Sequence, residues 1–206
     1  MTDARRWVGL CVGKKGGHAS GSSGPPRCLA RSGYTANPED PAMPLPADPI
    51  AVMLEHNAWA NRALIEACAG LTDEQLDRPF EMGLGSLRPT ITHIIGAMRG
   101  WTDLLAKRPA RERIENNAPV GVAEWRTLHD DAARDLAEHA LYGPIDEVLT
   151  AERGGKTYSF VRSHVLVHVT THGVHHRAQC LNMLRHLGVA DLPPNSGMTW
   201  SLTAGA

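Results

Sequence analysis

The chain has 206 residues, 42% of them hydrophobic and 21% charged, enough for one globular domain with a sizeable core and some length to spare. Its 21 basic and 22 acidic residues leave a formal net charge of -1, so no global field favours nucleic acid or an anionic membrane, and a small-molecule partner is expected. The four cysteines form no C-x-x-C pair and are too few for a disulfide framework, which indicates a reducing cytoplasm; no stretch approaches the ~18 apolar residues of a membrane span.

Residues 1–47 are dense in Gly, Ser and Pro and show neither a helical nor a strand period, as in "GKKGGHASGSSGPPRCLARSGYTANPEDP". Such a segment buries too little apolar surface to offset its ordering entropy, so a disordered tail is expected. Its six basic residues (Arg5, Arg6, Lys14, Lys15, Arg27, Arg31) outnumber three acidic ones (Asp3, Glu39, Asp40), a balance that suits a solvated arm. Every stretch with a folding pattern follows Met43, which makes Met43 an alternative start. Arg5 and Arg6 precede "WVGLCVG", too short and too glycine-rich for a secretory signal.

Helical periodicity begins at Asp48, an N-cap, with Pro49 at the first helical position. Ile50, Met53, Leu54, Ala58, Leu64, Ile65 and Cys68 recur on one face before Gly70, predicting a helix over 49–69. A second starts near Ser86 to Pro89 and runs through "TITHIIGAMRGWTDLLAKR" to a stop at Pro109. Trp125, Leu128, Ala132 and Leu136 define a third over 122–140, closed by Gly143 and Pro144. "IDEVLTAERGGKTYSF" is the one β-like stretch, a short hairpin or extended crossover turning at Gly154 and Gly155. A last helix over 159–187, capped by Thr157 or Ser159, ends at Gly188. The expectation is an all-α four-helix bundle over 48–190 with one longer crossover connection, a short β-hairpin before the last helix, and a C-terminal tail over 191–206.

Five of the eleven histidines, His164, His168, His172, His175 and His176, fall within "HVLVHVTTHGVHH" and project within an arc of roughly 120° on the last helix. His172 and His176 stand one turn apart, the spacing at which two imidazoles on a helix bind one metal. His93, in the otherwise apolar second helix between Ile91, Ile94 and Ile95, needs a partner for each ring nitrogen if buried, and it is the third candidate ligand. No carboxylate on these two helices stands beside the histidines, which favours an all-histidine site. Three neutral imidazoles suit Zn²⁺ or Ni²⁺ and leave positions open for water or substrate, as in catalytic rather than structural centres. His168 and His175 are candidates for ligand-orienting groups, a substrate-facing base or surface residues, with His168 the candidate catalytic base. Arg177 and Gln179 are candidates to orient ligands or to cap a dimer face.

Three stretches, "HNAWANRALIEACAGLTDEQLDRPF", "GSLRPTITHIIGAMRGWTDLLAKR" and "HVTTHGVHHRAQCLNMLRHLG", resemble those of the DinB-like (YfiT-type, damage-inducible) family of metalloproteins. The resemblance spans about residues 48 to 190. It implies a four-helix bundle, a homodimer, and a divalent metal held by His93, His172 and His176. It also implies chemistry with a low-molecular-weight thiol such as bacillithiol or mycothiol, bound to the metal as its thiolate and transferred to a small electrophile. Cys68 and Cys180 fall on helices as small core residues, not nucleophiles. The chain departs from the family pattern in "LPPNSGMTWSLTAGA", where further apolar helix or strand is expected. Against the thiol S-transferase stand a metal-dependent hydrolase and a non-catalytic stress protein that binds metal or a small ligand. Nucleic-acid binding is disfavoured, because residues after the tail carry a net -4 and no basic stripe.

Overall fold

A computed structural model describes residues 46–117 and 120–204. The expected tail over 1–47 and the alternative start at Met43 therefore lie outside the described residues, apart from positions 46 and 47. Helix α1 (Pro49–Ala67) begins where its cap predicts: the Asp48 carboxylate accepts from the backbone N–H groups of Ile50 and Ala51. Helix α2 (Asp73–Asp77) is a single turn that the apolar period does not announce. Its signal is a capping box, in which Thr72 Oγ1 accepts from Gln75 N–H and the Gln75 side chain accepts from Thr72 N–H.

Helix α3 (Leu87–Leu105) starts beside α2. Arg88 in its first turn donates to Asp77 at 2.7 Å, to Asp73 at 2.6 Å and to the Val120 carbonyl at 2.8 Å, tying three segments together. A 3₁₀ turn (Ile114–Asn116) and helix α4 (Val122–Ala140) follow. Strands β1 (Val148–Arg153) and β2 (Lys156–Val161) pair antiparallel about Gly154 and Gly155, whose φ angles of 57° and 72° meet the positive-φ requirement of a two-residue hairpin loop. The long helix α5 (Arg162–His186) begins three residues later than expected. Thr157 and Ser159 belong to β2, and no side chain caps α5; the carbonyls of Ile145 and Glu147 accept from the N–H groups of Ser163 and Arg162 instead.

The expected C-terminal tail over 191–206 carries a short helix. Helix α6 (Gly197–Ala204) buries Trp200 against α1, where its ring lies 6.3 Å from that of His56. Its eight residues are too few to show a period, and one large anchor does the work of a face.

The long helices form a four-helix bundle in which α1 packs on α4 and α5, and α3 packs on α4 and α5. α1 and α3 thus share one diagonal and α4 and α5 the other, which the hairpin-bearing connection crosses. Trp125, fully buried, sits in a core with Leu64, Ile65, Leu87, Ile91, Ile95, Met183 and Leu184, and its indole N–H donates to Thr92 Oγ1 at 3.1 Å. Among the described residues, no helix is long and apolar enough to cross a membrane.

Two expectations follow from this packing. A methyl group at Gly173 would overlap Asn57 Oδ1 and stand 2.9 Å from Arg177 Nη1, so Gly173→Ala should destabilise the fold by about 1–3 kcal/mol, read as a lower denaturant midpoint. His129 is buried in α4, and burial, reinforced by Arg62 and Arg177, pushes its pKa from the ordinary 6.5 to about 4. Between those values the unfolded chain binds a proton that the folded chain refuses, so this contribution is present in full above pH 6.5 and lost as pH falls towards 4. The loss amounts to roughly 3 kcal/mol; chemical denaturation across that window should show His129→Leu losing less stability than wild type.

Candidate metal centre

Helix α3 turns Ile91, Ile94, Ile95 and Met98 into the core, and His93 lies at the edge of that face towards α5, with its side chain 24% exposed. On α5, His172 and His176 stand one turn apart and face α3, His172 half-buried and His176 9% exposed. The Nε2 atoms of His93 and His172 are 3.2 Å apart. Ring centroids are separated by 5.0 Å for His93 and His172, 5.1 Å for His93 and His176, and 4.5 Å for His172 and His176. One ring nitrogen of each lies within 4.8 Å of the others, so the three could hold a metal ion.

The opposite ring nitrogens show how these imidazoles are oriented. His93 Nδ1 lies 3.3 Å from Glu115 Oε1, and His176 Nδ1 lies 2.8 Å from Gln179 Oε1. A carboxylate and an amide carbonyl can only accept, so both Nδ1 atoms carry the proton and both Nε2 lone pairs are free. The Gln179 amide NH₂ donates in turn to His175 Nε2 at 3.1 Å. Lone pairs converging from a half-buried edge, with the His93 and His176 rings held from behind, fit a borderline divalent cation.

Protonation agrees with this. Burial, then the neighbouring His176, His93, His168 and His175, push the His172 pKa down to about 4. Burial also lowers that of His176, against the opposing effect of the hydrogen bond it donates to Gln179 Oε1. Both rings are therefore neutral at pH 7, the form that binds metal. Burial by itself would raise the Glu115 carboxyl, but hydrogen bonds from Arg113, its own backbone and His93 outweigh it and hold the group below its ordinary value. It faces His93 as a carboxylate.

The remaining sequence candidates fall elsewhere. His168 is exposed, its ring 5.4 Å from His172 and 5.0 Å from Trp101, at the open edge of the cluster. His164 and His175 are exposed. Gln179 does orient a histidine, whereas Arg177 is buried against α1 and faces away from the cluster. Sequence reasoning missed Glu115 and Arg113. They lie on the connection after α3, which carries no periodic signal, and Glu115 meets the site as a hydrogen-bond partner of His93.

The model of the DinB family matches residues 43–202. The chain belongs to the DinB family. Members of this family bind metal, and in this DinB chain the histidines from α3 and α5 form the cluster that could hold the ion. Among curated proteins none matches it. Elemental analysis should find stoichiometric divalent metal in this DinB protein and its loss from His93→Ala, His172→Ala and His176→Ala, whereas His168→Ala keeps it; metal retained in one of the first three removes that residue from the ligand set.

Proposed function

We propose that the protein is a metal-dependent transferase that joins a low-molecular-weight thiol to a small electrophile at a centre held by His93, His172 and His176, with Zn²⁺ or Ni²⁺ as the metal. The observation that carries this reading is a three-imidazole cluster that, among the described residues, has no protein thiol able to act beside it. A divalent ion bound there supplies Lewis acidity and lowers the pKa of an incoming thiol. Of the cysteines among the described residues, Cys68 and Cys180 are fully buried, and burial raises both thiols, that of Cys68 to about 12. Neither of these two thiols can supply the reacting sulfur, which suits a thiol that arrives as a small molecule.

Three protein ligands leave room for that sulfur, and the exposed edge near His168 is where it enters. His168 accepts the thiol proton. The sulfur forms a bond to the electrophilic carbon, and the leaving group departs with its electron pair. Trp101, with Phe160 edge-on at 5.5 Å, forms an apolar border beside His168 against which the electrophile can rest.

Turnover of activated alkyl or aryl halides and epoxides, with and without added low-molecular-weight thiol, tests this. The expected outcome is thiol-dependent turnover, abolished in His172→Ala and lowered roughly 10²-fold in kcat by His168→Ala at unchanged metal content. Turnover indifferent to thiol would point to hydrolysis, and tight metal binding without turnover to a binding protein.

A further inference from the structure

Glycine at position 96 lies three residues beyond His93, on the side of α3 that faces the 3₁₀ turn. A Cβ there would stand 2.6 Å from Glu115 Oε2 and 2.7 Å from Oε1 and Cδ, so the carboxylate occupies the space a side chain would fill. From that position Oε1 reaches His93 Nδ1 at 3.3 Å and accepts from Arg113 Nη2 at 2.9 Å. The carboxyl is on the far side of the ring from the Nε2 that meets His172, so it is not a fourth ligand. Histidine ligands that donate their second nitrogen to a carboxylate are held in one tautomer and one orientation and become stronger donors.

We propose that Gly96, Glu115 and Arg113 form a positioning unit for the metal centre: the missing side chain at 96 admits the Glu115 carboxylate, Arg113 anchors it, and it sets the tautomer and aim of His93. Metal affinity therefore depends on a residue that never touches the metal. This rests on the reading that the three histidines hold a metal. The unit serves His93, whereas His176 is held by Gln179.

Gly96→Ala makes a clean test, since the atoms it displaces are the far end of a flexible side chain and α3 itself accepts alanine. The untagged full chain and its Gly96→Ala, Glu115→Ala and Glu115→Gln variants are stripped of metal, and Zn²⁺ affinity is measured by competition with a chromophoric chelator. Co²⁺ absorption spectra and thermal unfolding of the metal-free proteins accompany it. Glu115→Ala and Gly96→Ala should each weaken Zn²⁺ by about 10- to 100-fold and alter the Co²⁺ bands. Glu115→Gln, whose carbonyl still accepts from Nδ1 but without charge, should fall between them and wild type. Wild-type affinity and Co²⁺ spectrum in both Glu115→Ala and Gly96→Ala would overturn the proposal while leaving the metal centre intact, and a lower melting temperature with unchanged affinity would reduce Glu115 to a structural tie. Failure of the wild type to bind Zn²⁺ would instead remove the metal reading itself.

Discussion

The guanidinium of Arg177 is buried between α5, α1 and the segment leading to α6, with no carboxylate opposite it among the described residues. It donates to the amide oxygens of Asn57 and Asn61 on α1 at 2.6 Å and 2.7 Å, and to that of Asn195 at 2.7 Å. Charge-assisted bonds to neutral carbonyls avoid desolvating a second ion, and each contributes about 1.5–3 kcal/mol in such settings. Burial lowers the Arg177 pKa to about 10, which leaves it cationic at neutral pH. Asn57 and Asn61 turn their NH₂ groups towards Met98 of α3, so the network spans three helices. Because Arg177 follows His176 directly, holding one towards α1 holds the other towards α3. Gly173 is what lets α1 come close enough for the lock to form.

Once α5 is fixed in rotation, the state of the histidine cluster follows from desolvation. Imidazoles at a half-buried edge lose more by charging than solvated ones, and their mutual repulsion adds to that loss, so they stay neutral and keep their lone pairs. The outer groups then select which nitrogen faces inwards. Two different devices do this, an amide on the same helix for His176 and a carboxylate from another segment for His93. The hairpin adds an aromatic edge, in which Tyr158, Phe160, Trp101 and His168 follow one another to within a ring of His172.

Much of the fold was legible because its signals are local. Asp48 with Pro49, the apolar spacing of α4, the Gly154–Gly155 turn and Gly188 each act through contacts within a few residues, and each boundary they mark falls within about two residues of the expected place. The start of α5 was misplaced because Thr157 and Ser159 suit a cap or a strand equally, and pairing with β1 decides between them. α2 was readable in its capping box but too short for a period to show. The burial of Trp200 was not readable, since nothing in "SGMTWSLTA" says what lies opposite it.

By itself, the sequence determined the four long helices, the turn at Gly154 and Gly155 and the one-turn spacing of His172 and His176, because backbone propensity, caps and helical period act along the chain. Tertiary structure decided which of the five clustered histidines meets His93, why Arg177 turns away from them, and that Glu115 stands behind His93 in the space left by Gly96. Those outcomes depend on the relative rotation of two helices and the path of an aperiodic connection. Both are set by long-range packing and buried hydrogen bonds rather than by any pattern of neighbouring residues.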